Sequence, residues 1–425
     1  MTTILVFVFV LGYVTITLEH PLRLNKAATA LVTGVLCWTV FIMASGNREH
    51  VAEGLMQHLG DTAQILFFLM GAMTIVELID AHDGFEIITQ RITTRSKRKL
   101  IWILCTLAFA LSAVLDNLTT TIVMVSLARK LITEKEDRLY FAGAIVVAAN
   151  AGGAWSPIGD VTTTMLWIGG QVTALNIIRS LFLPSLVCLL VPMLWLSLRM
   201  RGKVATPKEP PSNECTPLER RNRNIVFYSG LCILLLVPVF KTVTHLPPFM
   251  GILLGLGVLW IIVEILHHEK DEADRAHYTV AYALRKIDTP SILFFLGILL
   301  AISALESSGL LGNAARSLDN ALGNQNLVVL AIGLLSAIVD NVPLVAASMG
   351  MYDLATYPTD HPFWEFLAYS TGTGGSALII GSAAGIAAMG IEKIDFIWYL
   401  KRISWLALIG FFAGALVYML REGLL

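Results

Sequence analysis

The sequence predicts an all-α polytopic membrane protein with two inverted repeats, each of five transmembrane helices, one of them broken, plus one re-entrant helical hairpin. Three observations carry this expectation. Of 425 residues, 56% are hydrophobic and only 14% charged, the mean hydropathy is +0.72, and a soluble domain carries about 25% charged residues. Apolar runs of about 20 residues, the length that crosses a bilayer as helix, recur along the chain. An acid–amide pair stands twice inside such runs, in "LSAVLDNLTTTIVM" at 111–124 and "LSAIVDNVPLVAAS" at 335–348. The matches between the two halves keep a nearly constant offset.

Composition also excludes some classes. Barrel strands would show short alternating segments, which are absent. A net charge of −1 gives no electrostatic case for nucleic acid. Cys37, Cys105, Cys188, Cys215 and Cys232 form no CxxC pair, so neither a zinc site nor a disulfide framework is expected. The first segment, "MTTILVFVFVLGYVTITLEH", has no basic leader and no small-residue cleavage site, so it reads as a retained span.

In chain order, spans are expected near 3–18, 27–44 and 62–80, followed by an apolar run at 100–132 that holds the first Asp-Asn. A span from near 140 to near 168 and another at 175–198 complete the first repeat, 1–200. The polar, proline-containing stretch 201–223 is the expected cytoplasmic linker. The second repeat, 224–425, has spans near 224–240, 248–267 and 290–305, the second Asp-Asn run at 326–352, and spans at 363–390 and 397–419. The repeat rests on three matches in the same order. "LSAVLDN" and "LSAIVDN" start at 111 and 335, an offset of 224. "NAGGAWSPIGD" and "GTGGSALIIGS" start at 150 and 372, an offset of 222, and "LFFLMG" at 66–71 resembles "LFFLG" at 293–297.

Charge decides whether the 100–132 run crosses once or turns back. Arg91, Arg95, Lys97, Arg98 and Lys99 precede it, and Arg129, Lys130, Lys135 and Arg138 follow it. A single crossing would put one cluster outside, against the positive-inside rule. A hairpin keeps both inside, and about 24 Å of helix from 100 to 115 carries its tip, Asp116-Asn117, past the middle of the bilayer. Each half then has an odd number of crossings, so the halves are inverted. Both termini face outward, and the second hairpin, with its tip at Asp340-Asn341, enters from outside. The basic stretch Arg199–Arg223 lies inside under this topology, and 352–362 has no Lys or Arg.

The glycines and Pro157 of 150–160, and the glycines of 371–382, are expected to break their spans. Exposed backbone survives in a bilayer only within protein or beside a watery cavity. Broken helices in paired repeats point to a transporter site at the midplane. Asp116 and Asp340 would bring negative charge to that site, and intramembrane acids mark ion or proton paths. Asn117 and Asn341 would join them as the expected Na⁺ ligands, since oxygen donors suit hard cations. Asn150, Ser156, Thr162 and Thr163 at the first break, Thr119 and Thr120 after the first tip, and Thr371, Thr373, Ser376 and Ser382 at the second break are further candidates. Pro343 stands opposite Thr119 in the repeat, so that hydroxyl is one-sided. Asp160 faces Ser382 in the alignment and is the asymmetric acid, a candidate proton carrier. Asp116, Asp160 and Asp340 equally suit helix N-caps. Competition of Na⁺ and H⁺ for one acidic site would give exchange by alternating access.

These tips, with "GGAWSPIGD", resemble the ion-transporter superfamily of arsenite-permease-like and citrate-transporter-like proteins. "LDNLTTTIVM" followed by "AANAGGAWSPIGDVTTTMLW" is similar to the NhaD-type sodium/proton antiporters. The resemblance covers essentially the whole chain. It implies a bacterial inner-membrane antiporter in the lipid bilayer, a homodimer, exporting Na⁺ or Li⁺ against H⁺ without a cofactor. Arsenite-permease-like members read Pro-Pro-Asn after the Gly-Asp, where this chain has Val161-Thr162-Thr163, and dicarboxylate members carry Ser-Asn-Thr tips.

The alternative is an anion permease for arsenite, sulfate or a carboxylate on the same fold. The expected acids would repel a dianion, and no Lys or Arg is expected inside the membrane to bind one. An intramembrane aspartyl protease, the remaining reading for two acids, uses other sequence contexts than duplicated Asp-Asn tips. Glu77 and Glu306 read as interfacial; His20, His82, His267 and His268 as solvated loop residues; and the tryptophans as interface anchors.

Overall fold

The computed structural model describes every residue except 1, 18–21, 46–47, 91, 93, 205–215, 269–275, 339 and 425. His20, Arg91, Lys208 and Cys215 therefore lie outside the described residues. Among the described residues the chain is helical throughout, apart from one isolated bridge between Ser96 and Lys203. The first half holds α1 (Thr2–Thr17), α2 (Lys26–Ala44), α3 (Arg48–Ala81), α4 (Glu86–Thr89), α5 (Lys97–Leu115), α6 (Asn117–Leu131), α7 (Lys135–Ala154), α8 (Val161–Ile168) and α9 (Ala174–Arg199). The second holds α10 (Pro217–Thr244), α11 (Pro248–Leu266), α12 (Val280–Lys286), α13 (Thr289–Ser307), α14 (Leu310–Leu322), α15 (Gln325–Leu335) and α16 (Asn341–Met351). It closes with α17 (Pro362–Gly374), α18 (Ala383–Glu392), α19 (Phe396–Tyr399) and α20 (Trp405–Arg421). Among the described residues, eight helices are long and apolar enough to cross a membrane, so the chain is a multi-pass membrane protein.

Both Asp-Asn runs fold as helical hairpins. Lys97, at the start of α5, pairs at 2.6 Å with Asp137, in the first turn of α7, which follows α6 after a three-residue link. The two arms therefore begin and end on one side, with the elbow at Asp116. In the second run the Gln325 amide, at the start of α15, donates to the Tyr357 hydroxyl, which lies just beyond the end of α16. That elbow is at Asp340.

The two glycine-rich segments break as expected, but later than the sequence suggested. The gaps span 155–160, between α7 and α8, and 375–382, between α17 and α18. Asn150, Gly152 and Gly153 still belong to α7, and Thr371 and Thr373 to α17. These glycines serve close approach as much as chain breaking. A Cβ on Gly152 would overlap the Phe109 carbonyl oxygen of α5, and one on Gly374 the Gly333 carbonyl oxygen of α15. The hydroxyls of the same arms finish the contact. Ser112 donates to the Ala149 carbonyl at 2.6 Å and Ser336 to the Thr371 carbonyl at 3.2 Å. The partners thus recur at the two sequence offsets.

Other boundaries differ from expectation for identifiable reasons. The linker expected at 201–223 ends at Thr216, because Thr216 and Glu219 form a reciprocal capping box and Pro217 opens α10. α3 begins at Arg48 rather than near 62, since its first four turns are too polar to register as a span but hold no proline to end the helix. The expected loop at 306–325 contains α14. Gly309 and Gly323, at φ +74° and +62°, bracket it, and it buries Leu311 and Ala315 while its polar face stays out. The last span contains a π turn at Leu400–Ser404. The tryptophans are not all interface anchors. Trp38, Trp167 and Trp364 are buried, and Trp364 donates to the Tyr357 carbonyl at 2.8 Å. Its indole is satisfied by protein, so it needs no headgroup partner.

G152A and G374A are each expected to destabilise the protein by about 1–3 kcal/mol, because a packed backbone must move. G54A, where a Cβ meets nothing, should be neutral or slightly stabilising. Thermal melts of the detergent-purified variants check this.

Candidate functional site

The two elbows and the two breaks meet at one place. A small cavity of about 60 Å³ is lined by Asp116, Asn117, Asp160, Asp340 and Asn341, together with Lys26, Thr164 and Ser291. Phe68, Leu69, Ala72, Met73, Leu234 and Phe295 make its apolar wall. The volume suits an ion and a few waters rather than a bulky solute.

Asp116 holds the first elbow. Its φ of +90° and ψ of 160° lie in a region that costs a non-glycine residue about 1–3 kcal/mol. Its side chain repays part of this by capping α6. One carboxylate oxygen accepts from the Thr119 N–H at 2.7 Å and the other from the Thr119 hydroxyl at 2.9 Å. Asp340 caps α16 with ordinary backbone angles, accepting from the Val342 N–H at 3.3 Å. Asp160 caps α8 and accepts from the Thr162 N–H at 2.9 Å and the Thr162 hydroxyl at 2.6 Å. All three acids are therefore N-caps, and all three also face the cavity. A carboxylate has about four acceptor directions, and one cap does not exhaust them.

A chain of buried amides ties the site together. The Asn117 amide donates to Asp160 at 2.6 Å and to the Asn150 side-chain oxygen at 3.1 Å. The Asn150 amide in turn donates to Ser376 at 2.8 Å and Ser382 at 2.9 Å. Ser382 caps α18 through the Gly385 N–H at 3.1 Å. The Ser156 hydroxyl donates to the Ala113 carbonyl at 2.5 Å, which fixes the first break against α5.

Other expected site residues stand apart from the cavity. Thr371 and Thr373 donate to the carbonyls of Leu367 and Tyr369, four residues back, at 2.7 and 2.6 Å. Thr163 reaches only the Ala154 carbonyl, at 3.4 Å. The hydroxyl oxygens of Thr120 and Thr121 are buried without a hydrogen-bond partner. Buried hydroxyls in that condition are uncommon.

Two expectations are corrected. A lysine does reach the site: the Lys26 ammonium lies 3.5 Å from Asp340, on the cavity wall. At the first position of an apolar run it looks like an interface anchor, and no sequence pattern ties it to residue 340. His82 and His267 are not solvated. They are buried at the ends of α3 and α11, with their Nε2 atoms 3.0 Å apart and Tyr278 stacked on His267. Two helix ends that converge in space bury residues that each look terminal in sequence. His268 is exposed, as expected.

The comparisons with known proteins agree in direction. A family model described as citrate transporter matches residues 13–372. Sodium/proton antiporter 1 of Arabidopsis thaliana is 49% identical over 97% of this chain, which covers 71% of that protein. Sodium/proton antiporter 2 of the same plant is 47% identical, over 97% of both chains. The Na(+)/H(+) antiporter NhaD of Vibrio cholerae is 30% identical over 97% of this chain and 90% of its own length. Among solved structures, the Alcanivorax borkumensis YdaH transporter aligns with a TM-score of 0.59 at 11% identity. It covers 94% of this chain and 98% of its own, a likeness of fold alone.

N150A should cost about 1–3 kcal/mol, since it leaves buried polar partners unsatisfied. The double variant N117A/N150A should cost less than the sum of the singles, because the two amides share one network. A double-mutant cycle of melting temperatures reads both.

Proposed function

We propose that this chain, which belongs to the citrate transporter family and within it to the NhaD-type sodium/proton antiporters, exchanges cytoplasmic Na⁺ or Li⁺ for external H⁺ by alternating access. One observation carries the site: Asp116, Asp160 and Asp340, from two hairpin elbows and a helix break, line one small cavity. With Asn117 and Asn341 they offer the oxygen donors that replace the hydration shell of a hard cation. The same carboxylates take protons when the cation leaves, so only one kind of cargo occupies the site at a time. Asp160 is the acid without a counterpart in the other half, and we assign it a share in proton transfer. Asn150, Ser376 and Ser382 hold the frame of the site rather than the ion.

The proposed architecture is two inverted repeats, with both hairpins re-entrant and both termini outside. The recurring contacts of Ser112 and Ser336 support the repeat, and the basic clusters around the first hairpin support the orientation. We place the protein in a bacterial plasma membrane by the bacterial relatives, and we propose that it is a homodimer there. The anion reading is weaker here: three carboxylates face the cavity and Lys26 is the one basic residue among the described lining.

The test is proton movement in proteoliposomes under an imposed pH gradient, on addition of NaCl, LiCl, KCl or choline chloride. Na⁺ and Li⁺ should dissipate the gradient, and choline should not. D116N, D160N and D340N should each lower the rate at least about 100-fold, the loss of roughly 3 kcal/mol expected when a direct charged contact is removed. Uptake of arsenite, sulfate or a carboxylate, with no response of the proton gradient to Na⁺, would instead establish the anion reading.

A further inference from the structure

We propose that Lys26 is a tethered competitor of the transported cation: its ammonium occupies the cation position at Asp340 and is displaced when Na⁺ binds. This rests on the reading of the cavity as a Na⁺ site. The ammonium lies 3.5 Å from the Asp340 carboxylate, with both side chains about one-fifth exposed. It also lies 4.6 Å from the centre of the Phe294 ring. Lys26 and Asp340 line the same cavity as Asp116 and Asp160.

Helix energetics do not explain this lysine. Lys26 is the first residue of α2, where Asn25 supplies the N-cap at 2.8 Å. The N-terminal end of a helix carries partial positive charge and disfavours a cation. The carboxylate and the aromatic face are both favourable partners, and they belong to two different elements, the second elbow and α13.

The chemistry fits competition. An ammonium is a compact cation on a flexible stem, and it seeks the same oxygen donors as an alkali ion. The Phe294 face, which the ammonium already touches, attracts it independently of the carboxylate, because a ring quadrupole attracts a cation at this distance. Na⁺ can therefore take Asp340 while Lys26 swings away from the carboxylate and keeps its contact with the ring. A transport site must also release its ion, and a site lined by three carboxylates would hold a cation tightly. An internal cation weakens that hold without removing a ligand.

The experiment is ²²Na⁺ binding to the detergent-purified full chain by scintillation proximity, at fixed pH, for wild type, K26Q, K26M and K26R. K26Q and K26M should bind Na⁺ about tenfold or more tightly, since a unit charge a few ångströms away has been removed. K26R should return the affinity toward wild type. Methylammonium, the free counterpart of the lost group, should displace ²²Na⁺ from K26Q at lower concentration than from wild type. A purely structural lysine would move melting temperature and not this competition. An unchanged or weakened Na⁺ affinity in both folded neutral variants overturns the proposal, as does equal displacement by methylammonium in K26Q and wild type. If wild type binds no ²²Na⁺, the antiporter reading itself falls, and this proposal with it.

Discussion

One buried amide holds the two halves of the molecule in register. The Asn150 side chain accepts from Asn117 at the first elbow and donates to Ser376 and Ser382 at the second break. It sits in the last turns of α7, where Gly152 lets α5 approach. Asn150 itself is fully buried, so its hydrogen bonds have little solvent to compete with. The position of Asp160 follows from the same network, because Asn117 donates to it while Thr162 pins its other oxygen. An acid fixed this way presents its remaining acceptor directions to the cavity rather than to the backbone.

The halves share a backbone scheme more closely than a side-chain scheme. Ser112 and Ser336 make equivalent bonds to the facing helix, and Gly152 and Gly374 admit equivalent carbonyls. Beyond the aligned serines and Asp-Asn pairs, the correspondence of polar positions fails. Asn150 stands opposite Gly372, Asp160 opposite Ser382, and Thr119 opposite Pro343. The strained elbow is likewise one-sided, since Asp116 has a positive φ and Asp340 does not. Close backbone crossings need small residues on both sides, whichever half supplies them. The polar atoms need only add up to one satisfied set between the halves, so they are free to diverge.

That distinction explains what the sequence could and could not reveal. The elbows and breaks were legible because acids, glycines and Pro157 are costly inside apolar runs and stand out against them. The three acids of the cavity were legible for the same reason. Lys26 was not, because a lysine at the edge of a span is ordinary, and its partner is more than three hundred residues away. The His82–His267 pair was hidden likewise, since each ring lies at a helix end and only their convergence buries them. α14 was missed because span detection asks for apolar length, while an amphipathic helix between two left-handed glycines has little. Thr371 and Thr373 show the opposite error. A hydroxyl in a glycine-rich stretch suggested a ligand, yet the helix runs on past both, and each bonds back to its own turn.

The charge balance of the cavity limits what it can hold. Three carboxylates and one ammonium face a space of about 60 Å³ with apolar walls. Unit charges this close interact by about 1–4 kcal/mol even with generous screening. An anion entering would meet that repulsion with one lysine to offset it, and Lys26 is already paired with Asp340. A small cation or protons would relieve it. The volume acts in the same direction, since about 60 Å³ suits an ion with a partial hydration shell better than a tricarboxylate. The family description speaks of citrate, but fold-level likeness leaves cargo to the site. Here the side chains at the two elbows and the first break favour a small cation over a bulky anion, on grounds of sign and size that are independent of each other.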